Sequence, residues 1–247
     1  MYGRRLRGLA LITAAMLTLT LVLVFFWAPN DRTLGFLQKI FYVHVPLAIV
    51  TLCGFIAGGV MAVMHLRTRD SRWDVRSYVA IHISLVFGIG VLITGSIWAK
   101  GAWGHWWVWD EPTLVSFLLI MLLYATYQPL RFAIEDPERQ ARAASVFAIT
   151  AGVFVPINFA IVRLSTAYVH PRTLSNISGN LPGRMQVVFY LALASMALLW
   201  VTLWRYEMAS KHARAQLRTL RRLLGGDDDE PARRSAAPTM SHAGGGR

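Results

Sequence analysis

Between residues 98 and 110 the chain reads Trp98-Ala99-Lys100-Gly101-Ala102-Trp103-Gly104-His105-Trp106-Trp107-Val108-Trp109-Asp110, and four of its nine tryptophans fall within residues 103–109. Indole rings in such a run suit two tasks. They anchor a membrane protein at the headgroup level, where the ring is half wet. They also form a platform for a flat ligand, because an aromatic face or edge packs well on another π system. Anchors are spread over several helix ends, whereas this cluster sits in one connection. If the connection is helical, Trp103, Trp106, Trp107 and Asp110 fall at i, i+3, i+4 and i+7 on one face. That face is an aromatic shelf with a carboxylate at its end. Trp109 belongs to the same run. Asp110 fixes the segment's shape, meets a partner, or N-caps the following helix. Gly101 and Gly104 let the backbone bend close to a ligand.

The imidazoles are the second chemically able set. His65 and His82 lie at basic helix ends, and His212 and His242 lie near the C-terminus. His105 is inside the tryptophan run. His44 opens an apolar block in Phe41-Tyr42-Val43-His44-Val45-Pro46, and His170 follows another in Tyr168-Val169-His170-Pro171. Each taken alone reads as a polar cap. Two from different connections beside an aromatic shelf suit a planar macrocycle with a central metal, because His is a standard axial ligand of heme iron. Zinc would want three or four closely spaced ligands, commonly with cysteine, and Cys53 is the single cysteine. Heme also brings two carboxylates, for which Lys100, Arg163, Arg172 and Arg184 are available; Arg matches that geometry best.

These side chains must be held by membrane helices. The chain has 247 residues, of which 55% are hydrophobic and 15% charged, with a mean hydropathy of +0.44. The apolar residues fall in blocks near the length that crosses a bilayer, which excludes a soluble enzyme. Six spans are expected: Leu9–Trp27, Phe41–Met64, Val79–Trp98, Thr113–Leu130, Ala143–Val162 and Met185–Trp204. Within lipid a single such run satisfies its backbone only as a helix, so the fold class is all-α. The first block follows Arg4, Arg5 and Arg7 but has no small-residue cleavage pattern, so it reads as a retained helix. The net charge of +12 sits between the apolar blocks. One set of flanks carries 19 Lys and Arg, the other 6. The basic set is read as cytoplasmic. Both termini are then inside, and segments 28–40, 99–112 and 163–184 face outward.

The six runs contain no Asp, Glu, Lys or Arg, and intramembrane charges are what mark proton and ion relays. A pump or secondary transporter is therefore disfavoured, since polar groups such as Thr94, Ser96, Asn158 and Gln186 make a poor relay. Chemistry belongs at an aqueous face. Gly54 and Gly58 form a small-xxx-small pair able to bring helices close. The membrane domain is expected over 1–205. A tail over 206–247 begins as a basic helix from Arg205 to Leu224, stops at Gly225-Gly226 and ends in about 20 disordered residues. The basic stretch meets anionic lipid or a cytoplasmic partner, or is simply solvated.

Trp103 to Asp110 resembles the tryptophan-rich "WWD" signature of the heme-handling proteins of cytochrome c maturation. Gly95-Ser96-Ile97-Trp98-Ala99-Lys100 and Tyr42-Val43-His44-Val45-Pro46 resemble it too. With six spans and this length, the chain is similar to the CcmC (heme exporter protein C) family over roughly residues 35–205. The resemblance implies that heme b is bound non-covalently and transiently at the periplasmic face of a bacterial inner membrane. It implies delivery to a membrane-tethered CcmE-like heme chaperone, beside CcmA and CcmB ABC transporter subunits and a CcmD-like small subunit. It also implies axial iron ligation by His44 and His170, with Gly104, Trp103, Trp106, Trp107, Trp109 and Asp110 as the remaining heme-binding residues. Two departures stand out. Pro112, after Glu111, occupies the place where the family commonly has Arg, and Leu164 to His170 lacks tryptophans the family often carries.

A bis-histidine electron-transfer subunit is the main rival, but such proteins place their ligands on facing helices inside the bundle, and no mid-span His is available. A structural subunit merely anchored by its tryptophans is the second. An enzyme is disfavoured, because the outward segments hold no nucleophile–base pair or paired carboxylates.

Overall fold

The computed structural model describes residues 2–165, 169–170, 181 and 183–223. Its elements are α1 (Tyr2–Phe26), a short 3-10 turn (Phe36–Ile40), α2 (Phe41–Thr68), α3 (Ser71–Trp103), α4 (Pro112–Ala125), α5 (Tyr127–Phe132), α6 (Pro137–Leu164) and α7 (Gly183–Leu223). Six helical stretches are long and apolar enough to cross a membrane, and no strand occurs among the described residues. Each of the six expected spans is present, in order. Residues 1–208 form one compact unit and 209–247 a second, of which 209–223 are described and helical. The expected stop at Gly225-Gly226 and the expected disorder beyond it lie outside the described residues.

Several helices outrun their apolar blocks, because caps rather than hydropathy set their ends. Arg69 takes a left-handed conformation after α2, and the Asp70 side chain then accepts the N–H of Arg72 at 2.9 Å to open α3. That bond holds the half-buried Asp70 carboxyl below the usual carboxylate range. Asp136 accepts the N–H of Arg139 at 2.7 Å, with Pro137 as the first residue of α6. The fourth span is interrupted at Thr126, between α4 and α5. Pro129 has no N–H to return to the carbonyl four residues earlier, so the ladder cannot run through unbroken.

Helix α2 packs between α3 and α6. A Cβ on Gly58 would stand 2.7 Å from Ile81 of α3, and one on Gly59 would stand 3.0 Å from the Ala148 carbonyl oxygen of α6. The small residues expected at Gly54 and Gly58 thus serve α3, while the neighbouring Gly59 meets Gly152 and serves α6. Helices α1 and α7 are joined by two hydroxyl pairs: Thr13 with Thr202 at 2.7 Å, and Thr20 with Ser195 at 2.8 Å.

The apolar runs lack charge, but the longer helices bring one charge pair inside the fold. Arg131 of α5 donates through both terminal nitrogens to Asp74 of α3, at 2.7 and 2.6 Å, and to the Tyr127 hydroxyl at 3.3 Å. Both charged side chains are buried. Removing one partner of such a pair leaves an uncompensated buried charge, at a cost of about 3–5 kcal/mol. Arg131→Met should therefore lower the thermal midpoint in detergent sharply, and adding Asp74→Leu should recover most of the loss.

Candidate functional site

The ends of α2, α3, α4 and α6 that surround the tryptophan segment enclose a cavity of about 260 Å³. His44 and His170 both line it, together with Trp98, Trp103 and Trp107. Phe41, Leu92, Phe117, Ile120 and Phe159 supply apolar wall, while Gln38, Asn158 and Arg163 supply polar groups.

His44 is set one turn into α2, with its ring laid against α3. A Cβ on Gly95 would stand 2.8 Å from the ring's Cε1, so the bare glycine backbone is what admits the imidazole. The Nδ1 atom lies 3.0 Å from the Thr94 hydroxyl oxygen. That hydroxyl gives its own hydrogen to the Gly90 carbonyl at 2.8 Å. With that hydrogen on the Gly90 carbonyl, the hydroxyl oxygen is the ring's acceptor, the arrangement in which Nδ1 carries the proton and Nε2 keeps its lone pair. A partner on one ring nitrogen that fixes the other as a ligand is the usual arrangement behind metal-binding histidines.

His170 stands in the connection after α6. Its ring meets Trp103 edge-on at 6.3 Å, and Trp103 meets Trp98 likewise at 5.0 Å. The connection is tied from behind by Glu111, which is fully buried. One Glu111 oxygen accepts the N–H groups of Val169 and His170 at 2.9 and 3.2 Å, and the other accepts Thr113 N–H at 3.4 Å.

The tryptophan segment is not one helical face. Helix α3 ends at Trp103, and Gly104 caps it with φ 78°, a left-handed conformation that favours glycine. Lys100 closes the same turn by donating to the Gly104 carbonyl at 2.8 Å. Residues 104–111 are irregular, so the expected i, i+3, i+4, i+7 shelf does not form. The rings divide instead. Trp103 and Trp107 line the cavity, whereas Trp106 and Trp109 are exposed, at 59% and 71%. Trp109 still touches Trp107 edge-on at 6.0 Å. Asp110 and His105 are exposed, and neither lines the cavity. The N-cap of α4 is Glu111 rather than Asp110. Pro112 explains this shift, because a proline at the first helical position makes the residue before it the cap. Gly101 packs against Leu37, whose Cδ2 would lie 2.6 Å from an added Cβ.

Two features suit a ligand with both an apolar body and carboxylates. The Trp107 Nε1–H is buried and has no hydrogen-bond partner among the described residues. A buried donor without a partner is costly, and this one belongs to a cavity-lining ring. Of the four candidate cations, Arg163 lines the cavity, its guanidinium 4.9 Å over the ring of Phe159, which lines it too. Lys100 is engaged at the Gly104 cap, Arg184 lies over the Trp27 ring at 5.7 Å, and Arg172 lies outside the described residues.

A model of the family described as heme exporter protein C matches residues 1–223. The chain belongs to the heme exporter protein C family. Similar curated proteins carry the same description. That of Bradyrhizobium diazoefficiens is 32% identical over 198 residues, covering 78% of this chain and 73% of its own. That of Paracoccus denitrificans is 30% identical over 212 residues, covering 84% and 86%. That of Haemophilus influenzae is 30% identical over 202 residues, covering 81% and 82%. Membership makes the chain a multi-pass membrane component of the heme handling that serves cytochrome c maturation, and not an enzyme.

Sequence reasoning singled out His44, His170, Trp103 and Trp107, which the fold brings around one cavity. It counted Thr94 only as a polar residue within a span, and Gly95 only as part of a motif's lead-in. Glu111 was passed over. Its signal was present nonetheless, in an acid directly before a proline at the start of an apolar helix.

Proposed function

We propose that this chain binds heme b at the cavity between α2, α3, α4 and α6, with His44 and His170 as the axial ligands, and passes it to a CcmE-like heme chaperone. The observation that carries this reading is that two imidazoles from distant segments line one apolar cavity with three indoles. Neither imidazole is part of a cluster of three or more His, Cys, Asp and Glu fit for a bare metal ion among the described residues. A macrocycle that brings four ligands of its own needs only two from the protein.

The volume fits a carrier. At about 260 Å³ the cavity lies below the roughly 300–1,000 Å³ that encloses a drug-sized ligand. A porphyrin seated there stands partly outside, where an acceptor reaches it. Trp103 and Trp107 support the ring's buried side. Trp106 and Trp109, together with Asp110 and the Gly104 turn, present the protruding edge. Trp107 Nε1–H and Arg163 receive a heme carboxylate, in place of the Arg that the resemblance leads one to expect where this chain has Pro112.

The charge count sets the direction. The end bearing the cavity faces the periplasm, with both termini in the cytoplasm. The membrane domain is read as 1–205 and the tail as 206–247. ABC transporter subunits of the CcmA and CcmB kind and a CcmD-like subunit are the neighbours this reading expects.

The test is transfer in a purified system. Protein from heme-producing cells should show a Soret band and lose it to an added chaperone domain. A protein that stays colourless with added hemin overturns the reading. So does normal loading when Trp103, Trp106, Trp107 and Trp109 are all replaced. A second measurement addresses the carboxylate. Hemin dimethyl ester should bind the wild type at least ~10-fold more weakly than hemin, the scale of a lost charge-assisted bond. Arg163→Gln should narrow that difference.

A further inference from the structure

We infer that Glu111 is a positioning residue for His170, a buried clamp that fixes the imidazole-bearing connection onto the start of α4. The inference rests on the reading of His170 as an iron ligand.

Three observations carry it. Glu111 is fully buried beside the N-terminus of α4. Its carboxylate bridges two segments far apart in sequence, accepting Thr113 N–H on one side and both Val169 and His170 N–H on the other. The backbone it grips is that of the histidine itself and its immediate neighbour. A helix cap alone needs one oxygen and a local N–H. A second oxygen spent on residues 58 and 59 positions away serves something else. His44 has a helix, a glycine seat and the Thr94 hydroxyl to hold it. Val169 and His170 lie outside any helix, so a ligand's entropy there must be removed by other means, and the two carboxylate-accepted bonds from their N–H groups do so.

The clamp also gives the chain's departure from its relatives a consequence. Pro112 starts α4 two residues after Asp110, which makes Glu111, between them, the cap. The residue that follows the tryptophan motif thereby ties that motif to the second histidine.

The discriminating variant is Glu111→Asp. Aspartate is a strong N-cap, so α4 keeps its start, but the side chain is one methylene too short to hold both segments. Two readouts are needed. The first is hydrogen exchange of the heme-free protein, in which the amides of Val169 and His170 should lose protection while those of α4 do not. The second is the heme spectrum, which should shift from low-spin towards high-spin, with affinity down about 10–100-fold as for lost outer-shell partners. Added imidazole should restore the low-spin form. Glu111→Gln, which keeps the length, should fall between Asp and wild type, and it serves if the Asp variant fails to fold. Unchanged exchange at residues 169 and 170 in Glu111→Asp overturns the clamp. So does an unchanged spectrum there when His170→Ala alters it. If His170→Ala itself leaves the spectrum as in wild type, it is the ligand assignment that fails, and exchange then tells whether the clamp holds the connection for another purpose.

Discussion

His44→Ala is expected to cost the protein most of its bound heme and the low-spin signature of what remains. The two imidazoles are unequally built. His44 stands on α2, its ring seated on Gly95 and its Nδ1 3.0 Å from the Thr94 hydroxyl. In the proposed site it is the pre-organised ligand, and a ligand held before binding pays little ordering cost. His170 sits on a connection that needs Glu111 to fix it. Losing a direct ligand should exceed the roughly 10–100-fold attached to outer-shell partners, so His44→Ala should weaken binding by more than ~100-fold. His170→Ala should retain a five-coordinate, high-spin heme on His44, with a smaller loss. Absorbance and electron paramagnetic resonance on both variants check the order. Two unaltered spectra would refute the ligation, and a greater loss for His170→Ala would refute the ranking.

The second large effect is expected at a residue with no side chain. Gly95→Val places carbon where the His44 ring lies, since even a Cβ would stand 2.8 Å from Cε1. The ring must swing off α3, which breaks the bond to Thr94 and turns Nε2 from its aim. Heme binding should fall nearly as far as in His44→Ala, while the helix persists, because valine is apolar and tolerated in a buried span. Thr94→Val is the companion. It removes the acceptor without crowding the ring, so the tautomer is freed but the seat stays. Its loss should be confined to the ~10–100-fold of an outer-shell partner. Hemin titration of the three proteins gives the ranking His44→Ala, Gly95→Val, Thr94→Val. Wild-type affinity in Gly95→Val would show that the ring's place against α3 is irrelevant to the ligand.

The membrane plan was legible in the residues because bilayer crossing is a composition problem. A run of apolar residues about as long as the hydrocarbon is thick has one backbone solution, so all six helices follow from hydropathy. Their ends were less legible. Asp70, Asp136 and Gly104 set helix limits by single hydrogen bonds and one left-handed turn, which an apolar average does not register. The fourth span was read as continuous, although Pro129 carried the reason for its break at Thr126. The single aromatic face, which required the connection to be helical, ends at Gly104 for the same local reason.

What the residues alone determined is therefore the inventory: six helices, a tryptophan-rich connection, and imidazoles in other connections of the chain. Tertiary structure decided which of these meet. Trp103 and Trp107 turned inward and Trp106 and Trp109 outward only because α3 stops at a glycine. His44 meets the hydroxyl of a threonine 50 residues away, and the His170 N–H meets the carboxylate of a glutamate 59 residues away. Hydropathy is a property of each residue in its solvent, and can be read one position at a time. A ligand's aim depends on hydrogen bonds between segments distant in the chain, and no local pattern encodes which of them the fold will bring together.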